Sequence, residues 1–232
     1  VTVTGVDDDI IDGTISSTIT IAIVDAASDN NFDTVSDQTV TATTTDDDVA
    51  GFTVTETGGS TSVAESGTTD TFTVVLNAQP DSDVVFAVTS SDDGETSVAS
   101  SLTFTNANWN TPQTVTVTGV DDDIIDGTVS SSITLSVIDA VSDNNFDALD
   151  DQTVTATTTD DDVAGFTVTE TGGSTSVAES GTTDTFTIAL DAQPVSDVVL
   201  SISTSDSTET TVTSLLTFTN GNWDTPQTVT VT

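Results

Sequence analysis

Apolar and polar residues alternate along most of this chain. Phe72, Val74 and Leu76 are separated by polar or smaller neighbours, as are Val84, Phe86 and Val88, then Ile133, Leu135 and Val137, and Val115 and Val117 lie between threonines. A period of two places successive side chains on opposite faces of an extended backbone, so each of these runs reads as a strand with one buried face. No stretch carries a comparable helical period. Gly58-Gly59, Gln79-Pro80-Asp81, Asp92-Asp93-Gly94 and the segment Asn106 to Pro112 punctuate the runs with turn-forming residues. Read from Gly51, the pattern predicts about seven strands, near 52–56, 71–76, 84–89, 96–104 in two short pieces, 113–119, 132–138 and 153–159. Short strands at this spacing predict an all-β fold, an immunoglobulin-like antiparallel β-sandwich.

The pattern also repeats on a longer scale. Val1 to Thr14 recurs unchanged as Val115 to Thr128, a period of 115 − 1 = 114 residues, and Val-Thr-Val-Thr returns at Val229 to Thr232. Of the 118 positions that overlap at this offset, 92 are identical, which marks a tandem array of like sandwiches rather than a chance motif. The frame is then 51–164 for a complete repeat, with 1–50 as the second half of one before it and 165–232 as the first half of one after it. The chain opens and closes within a strand pattern. The expectation is either a section of a longer array or a subunit that completes its sheets with neighbouring copies of itself, head to tail.

Charge changes the picture more than any other property. The chain holds 39 Asp and Glu and no Lys, Arg or His, and the aspartates come in runs: Asp7, Asp8 and Asp9; Asp46, Asp47 and Asp48; Asp121, Asp122 and Asp123; Asp160, Asp161 and Asp162. Two carboxylates about 4 Å apart repel by roughly 4 kcal/mol at an effective dielectric near 20, so a converging cluster without cations would rival a domain's net stability. The runs either stay apart in water or close on metal ions. With neither Cys nor His in the chain, only oxygen ligands remain, which suit a hard cation such as Ca2+. The absence of basic residues argues against nucleic acid and anionic membrane as partners, since both need their phosphates neutralised. No apolar run reaches the roughly 20 residues of a helical membrane span. An enzyme is not expected, because there is no His, Cys, Lys or Tyr to serve as base or nucleophile.

On the strand frame the acidic runs fall at element ends. Asp121 to Asp123 follow the strand ending near Val120, Asp160 to Asp162 follow the strand ending at Thr159, and Glu65, with its copy Glu179, shortly precedes the strand carrying Phe72 or Phe186. In an antiparallel sandwich these segments can share one pole. Asp126 lies in the same loop as Asp121 to Asp123, beside Gly127, and Asp12 is its counterpart in the first copy. Only Val163 and Ala164 separate Asp162 from Gly165, so a cluster at this pole would also brace the joint to the next repeat.

Asp121-Asp-Asp-Ile-Ile-Asp-Gly after a Val-Thr strand, with Thr159-Asp-Asp-Asp-Val-Ala-Gly-Phe166 at the repeat junction, resembles the Calx-β domains of sodium/calcium exchangers and of large bacterial surface proteins. Leu102 to Gln113, with Trp109, is similar to the bacterial surface versions. The resemblance implies a sandwich that binds several calcium ions at one pole. The ligands it implies are Glu65, Asp121, Asp122, Asp126 and the run Asp160 to Asp162, with the carbonyl of Ile124. The family's Asp before an aromatic in the mid-domain loop has no clear match; only Asp92, Asp93 and Glu95 lie near.

Blander readings stand beside these. The triplets could be the solvated surface of a salt-adapted protein, although their place at strand ends twice per repeat disfavours it. Asp29 to Asp33, copied as Asp143 to Asp147, lacks the spacing of an EF-hand and reads as an acidic loop pinned by a buried Phe. Trp109 and Trp223 read as covers for a core edge rather than sugar platforms, and the Thr-rich faces as ordinary exposed sheet rather than an ice-binding array. The functional expectation is an extracellular, calcium-stiffened structural repeat of a fibre or surface stalk. The alternatives are an adhesin module for a glycan or protein partner and a regulatory calcium sensor.

Overall fold

A computed structural model describes all 232 residues. Strands β1 (Ile15–Ile21) and β2 (Gln38–Thr44) form a hairpin-like pair near the start of the chain. Nine strands follow: β3 (Phe52–Glu56), β4 (Thr61–Ala64), β5 (Thr69–Leu76), β6 (Val84–Ser90), β7 (Thr96–Val98), β8 (Ser101–Phe104), β9 (Gln113–Gly119), β10 (Thr128–Val137) and β11 (Gln152–Thr159). The last third contributes β12 (Phe166–Glu170), β13 (Asp184–Leu190), β14 (Val198–Ser201), β15 (Leu215–Phe218) and β16 (Gln227–Val231).

Strands β3 to β11 build two sheets, ordered β3-β5-β9-β7 and β4-β11-β10-β6-β8, which pack face to face. This is the immunoglobulin arrangement, with every pairing antiparallel except β4 on β11. The inward positions read from the alternation fill the core. Phe72, Val74, Val84, Phe86, Ile133 and Leu135 are essentially without solvent contact, and Phe52, Phe86 and Phe104 stack edge to face with centroids 4.8 and 6.1 Å apart. Trp109 packs against the side of this core. Phe146 is fully buried, and its loop is tied down by Asp143, whose carboxylate accepts the amides of Asp81, Ser82 and Asn145.

The outer segments repeat the same local structure with fewer strands: residues 1–50 hold only the β1-β2 pair, and residues 165–232 set the sheet β12-β13-β16 against only β14 and β15. Val154 and Phe146 are 3 and 0% exposed, whereas the residues one repeat earlier, Val40 and Phe32, are 51 and 55% exposed. Phe52 is 6% exposed and its copy Phe166 is 54% exposed. Identical patterns thus give a full core only where enough strands lie opposite, because burial needs an opposing face. Residues 165–232 retain a small cluster of Ile188, Leu190, Leu216, Phe218 and Val229.

The observed strands depart from the expected ones in two places. β10 begins at Thr128 rather than near 132, and β4 was absent from the expected set. Thr61-Ser-Val-Ala64 is too short to show a period, and it is a strand only because it adds in parallel to the edge of β11.

Candidate metal centre

Glu65 is the residue immediately after β4. Its amide donates to the Thr159 carbonyl at the end of β11 (3.1 Å), and Ala64 is held by the Thr68 hydroxyl (2.7 Å), so the turn delivers the Glu65 side chain inward between the sheets. Gly67, with φ of 82°, allows that turn. Across from it, Gly119 lets β9 pass so close that a Cβ at this position would lie 2.0 Å from the Ala64 carbonyl oxygen.

Three loops at the same pole bring further carboxylates to Glu65. Asp160, just past β11, accepts the amides of Gly127 (2.8 Å) and Asp162 (2.7 Å), which ties the loop after β11 to the loop after β9. Asp122 accepts the amide of Ile124 (2.6 Å). Glu95, ahead of β7, is held by its backbone: its carbonyl accepts the Val120 amide (2.9 Å) and the Thr158 hydroxyl (3.3 Å). Two carboxylate groups result, each with ligand atoms within 4.8 Å of one another: Glu65, Asp160 and Asp162, and Glu65, Glu95 and Asp126. Glu65 belongs to both. Carboxylate oxygens gathered this closely can share one hard cation, whose bonds to oxygen run about 2.3–2.6 Å.

The electrostatics of the pole are those of carboxylates lacking a counter-charge. Both oxygens of Glu65, Oε2 of Glu95 and Oδ2 of Asp162 are buried with no hydrogen-bond partner. Burial is the main force pushing the Glu65 carboxyl up to about 7, with Asp122, Asp160, Asp126 and Glu95 adding to it. Burial likewise raises Glu95, assisted by Asp126, Asp92 and Asp122, and raises Asp162, assisted by Asp160, Asp123, Asp161 and Asp121. Asp160 goes the other way, held below the usual carboxylate range by the amides of Gly127 and Asp162. Buried, unpaired oxygens cost several kcal/mol unless something binds them. This chain has no basic side chain to do so.

The sequence-derived candidates therefore divide. Glu65, Asp126, Asp160 and Asp162 converge, and Asp122 faces them closely enough to raise Glu65. Asp121, Asp123 and Asp161 are exposed and act on Asp162 from outside the two groups. The backbone of Ile124 forms a parallel bridge with Gln193, and the Asp123 carbonyl accepts the Gln193 amide (2.6 Å). The loop that carries Asp121 and Asp122 is thus also the contact to the next repeat. The same contact joins residues 1–50 to the central sandwich, where the Gln79 amide donates to the Asp9 carbonyl (2.7 Å). Asp7, Asp8, Asp9, Asp12, Asp46, Asp47 and Asp48 line or flank an open groove of about 490 Å³ that has no glutamate on its walls. Glu179 is exposed, at a pole with no aspartate run beside it.

Glu95 was not among the expected ligands. A signal for it exists: Glu95 recurs as Glu209 one repeat later, although the residues before both, Asp93-Gly94 and Ser207-Thr208, differ.

No protein-family model matches the sequence, and no curated protein matches it. Among solved structures, the apo form of the Calx CBD1 domain shares 14% identity over 48% of this chain and 98% of its own, with a TM-score of 0.32. CBD12 from CALX1.2 shares 14% over 77% and 73%, with a TM-score of 0.33, and the E. coli chaperone DraB shares 10% over 60% and 70%, with a TM-score of 0.35. These are distant likenesses, and the sandwich described above rests on its own strand order.

Proposed function

We propose that this chain is a calcium-binding structural repeat of an extracellular fibre or surface stalk, in which Ca2+ neutralises the polar acidic clusters and stiffens the joints between sandwiches. The observation that carries this reading is Glu65, a fully buried carboxylate with both oxygens unpartnered, surrounded by five further acidic side chains. Glu65, Asp160 and Asp162 would hold one ion and Glu65, Glu95 and Asp126 a second, with Asp122 beside both. The ions would supply positive charge and nothing redox-active or catalytic. The role is mechanical, in keeping with repeat monotony, a surface without basic residues, and an acidic loop that doubles as the inter-repeat contact. No helix is long and apolar enough to cross a membrane.

The test is calorimetry and thermal unfolding of the full chain. Extracellular calcium modules bind with Kd on the order of 0.1–1 mM. At tenfold excess over Kd each ion adds about 1.4 kcal/mol to the folded state. We expect heats of binding on calcium titration and a melting transition that rises by about 10 °C. Equal melting in millimolar calcium and in excess chelator would reduce the acidic runs to surface charge.

A further inference from the structure

The depth of Glu65 depends on how both edges of the four-residue strand β4 are held. Successive amides of a strand point to opposite edges. On one edge the Glu65 amide reaches the Thr159 carbonyl, in line with the parallel pairing of β4 to β11. On the other edge lie the amides of Ser62 and Ala64, and no strand pairs with β4 there. Side chains take them instead: the Ser62 amide donates to the Asp70 carboxylate (2.9 Å) and the Ala64 amide to the Thr68 hydroxyl (2.7 Å). The Ala64 carbonyl in turn accepts the amides of Gly67 (3.1 Å) and Thr68 (3.3 Å), and the Thr68 carbonyl accepts that of Gly119 on β9 (3.0 Å). The residue before Glu65 thus has both of its backbone groups committed to one turn.

Asp70 stands on β5, in the opposite sheet, so its bond to Ser62 also crosses between the two layers. Its other oxygen accepts the Thr71 amide (2.7 Å), and these two amides hold its carboxyl below the usual carboxylate range. Asp70 belongs to neither of the two carboxylate groups and is not among the acids that push Glu65 up. The same clasp recurs one repeat later, where it is seen apart from its strand. The Ser176 amide donates to Asp184 and the Ala178 amide to Thr182, both at 2.8 Å, although Thr175 to Ala178 belongs to no sheet. The two side-chain bonds therefore do not depend on parallel pairing. They shape the turn locally, and pairing to β11 then buries what the turn presents, since Glu65 is fully buried and Glu179 is exposed.

We infer that Asp70 and Thr68 are positioning residues for the metal centre: by clasping the free edge of β4 they fix where the Glu65 carboxylate enters both carboxylate groups. The identity of the ion rests on the calcium reading above. Both residues act through Glu65 rather than as ligands. Its carboxylate is shared, with ligand atoms within 4.8 Å of those of Asp160 and Asp162 in one group and of Glu95 and Asp126 in the other. Bonds from calcium to oxygen span only about 2.3–2.6 Å, so a small shift of β4 withdraws Glu65 from both groups at once. Residues that orient a ligand in this way are worth about ten- to a hundredfold in metal affinity.

Calcium calorimetry on the full chain, with melting curves in excess chelator alongside, tests this. Thr68 is exposed, and Thr68→Val removes its hydroxyl while keeping the branched shape of the side chain. It is expected to weaken calcium binding by about tenfold or more. Asp70→Ala is expected to do the same, while Asp70→Asn, which retains an oxygen for the Ser62 amide, binds close to wild type. Asp184→Ala cuts the matching bond beside the exposed Glu179 and is expected to leave the calcium heat unchanged. Wild-type calcium affinity in both Thr68→Val and Asp70→Ala, with only a lowered melting temperature in chelator, overturns the inference and leaves the central site standing, because the clasp then serves the fold alone. An Asp70→Asn chain that binds as weakly as Asp70→Ala overturns the hydrogen-bonding role of Asp70. Absence of any calcium heat in the wild-type chain overturns the calcium reading itself, and the role of the clasp toward the ion with it.

Discussion

Glu65 is unusual in that its charge costs the fold stability unless a cation is present. Replacing it by Gln removes a ligand from both carboxylate groups and a source of repulsion from the apo pole. Glu65→Gln is therefore expected to weaken calcium binding at least tenfold by calorimetry while raising the melting temperature measured in chelator. A purely structural Glu65 would give the opposite second result. The pH dependence follows from the same residue. Its carboxyl titrates near 7 in the folded chain and near its ordinary 4.5 when unfolded. Folding then takes up a proton between those values, so apo stability rises as pH falls from about 7 to about 4.5. Asp160, held low by amide bonds, contributes stability of the other sign, lost only as pH falls below the ordinary carboxylate range. Melting curves in chelator at pH 7.5 and 5.5 should show the acid-side increase, and calcium affinity should drop over the same interval as protons compete for Glu65.

At the scale of elements, the site depends on a four-residue strand. β4 is fixed by parallel pairing to β11 and by the close pass of β9 at Gly119, and it sets the depth of Glu65. Gly119→Ala places a Cβ 2.0 Å from backbone, where no side chain can turn away. β4 or β9 must shift, at an expected cost of about 2–4 kcal/mol, read by denaturant unfolding, with calcium affinity falling as Glu65 moves. The period-2 alternation made β3, β5, β6 and β9 legible, since each has a buried face several residues long. β4 was not legible because its partner lies about a hundred residues away, and nothing in Thr-Ser-Val-Ala records that distance. Glu65 was legible as a candidate from its place before a strand. Its burial was not, because burial belongs to the four loops that meet around it.

At the scale of the molecule, the acidic loops serve two neighbours at once. Asp122 faces Glu65 within one repeat while the adjacent Asp123 carbonyl receives the Gln193 amide from the next, and Asp9 and Gln79 repeat that contact one repeat earlier. On the calcium reading, a metal that ordered the loop would order the joint with it. Small-angle scattering of the full chain is expected to show a smaller spread of dimensions in calcium than in chelator, where a net charge of −39 drives the repeats apart. Gln193→Pro removes the donor at that contact. It should loosen the calcium form without changing the calcium heat of the central sandwich.

The sequence by itself determined the strand-rich character, the 114-residue period, the restriction to oxygen ligands and the poles at which the acids would gather, because alternation, identity and residue type are local properties. Tertiary structure decided the rest. It chose which of the acidic residues converge, drew in Glu95 and left Asp121, Asp123 and Asp161 outside the two groups. It buried Glu65 and it made β4 a strand. These outcomes depend on which edges and loops meet in the folded sandwich, and no local stretch of sequence records that.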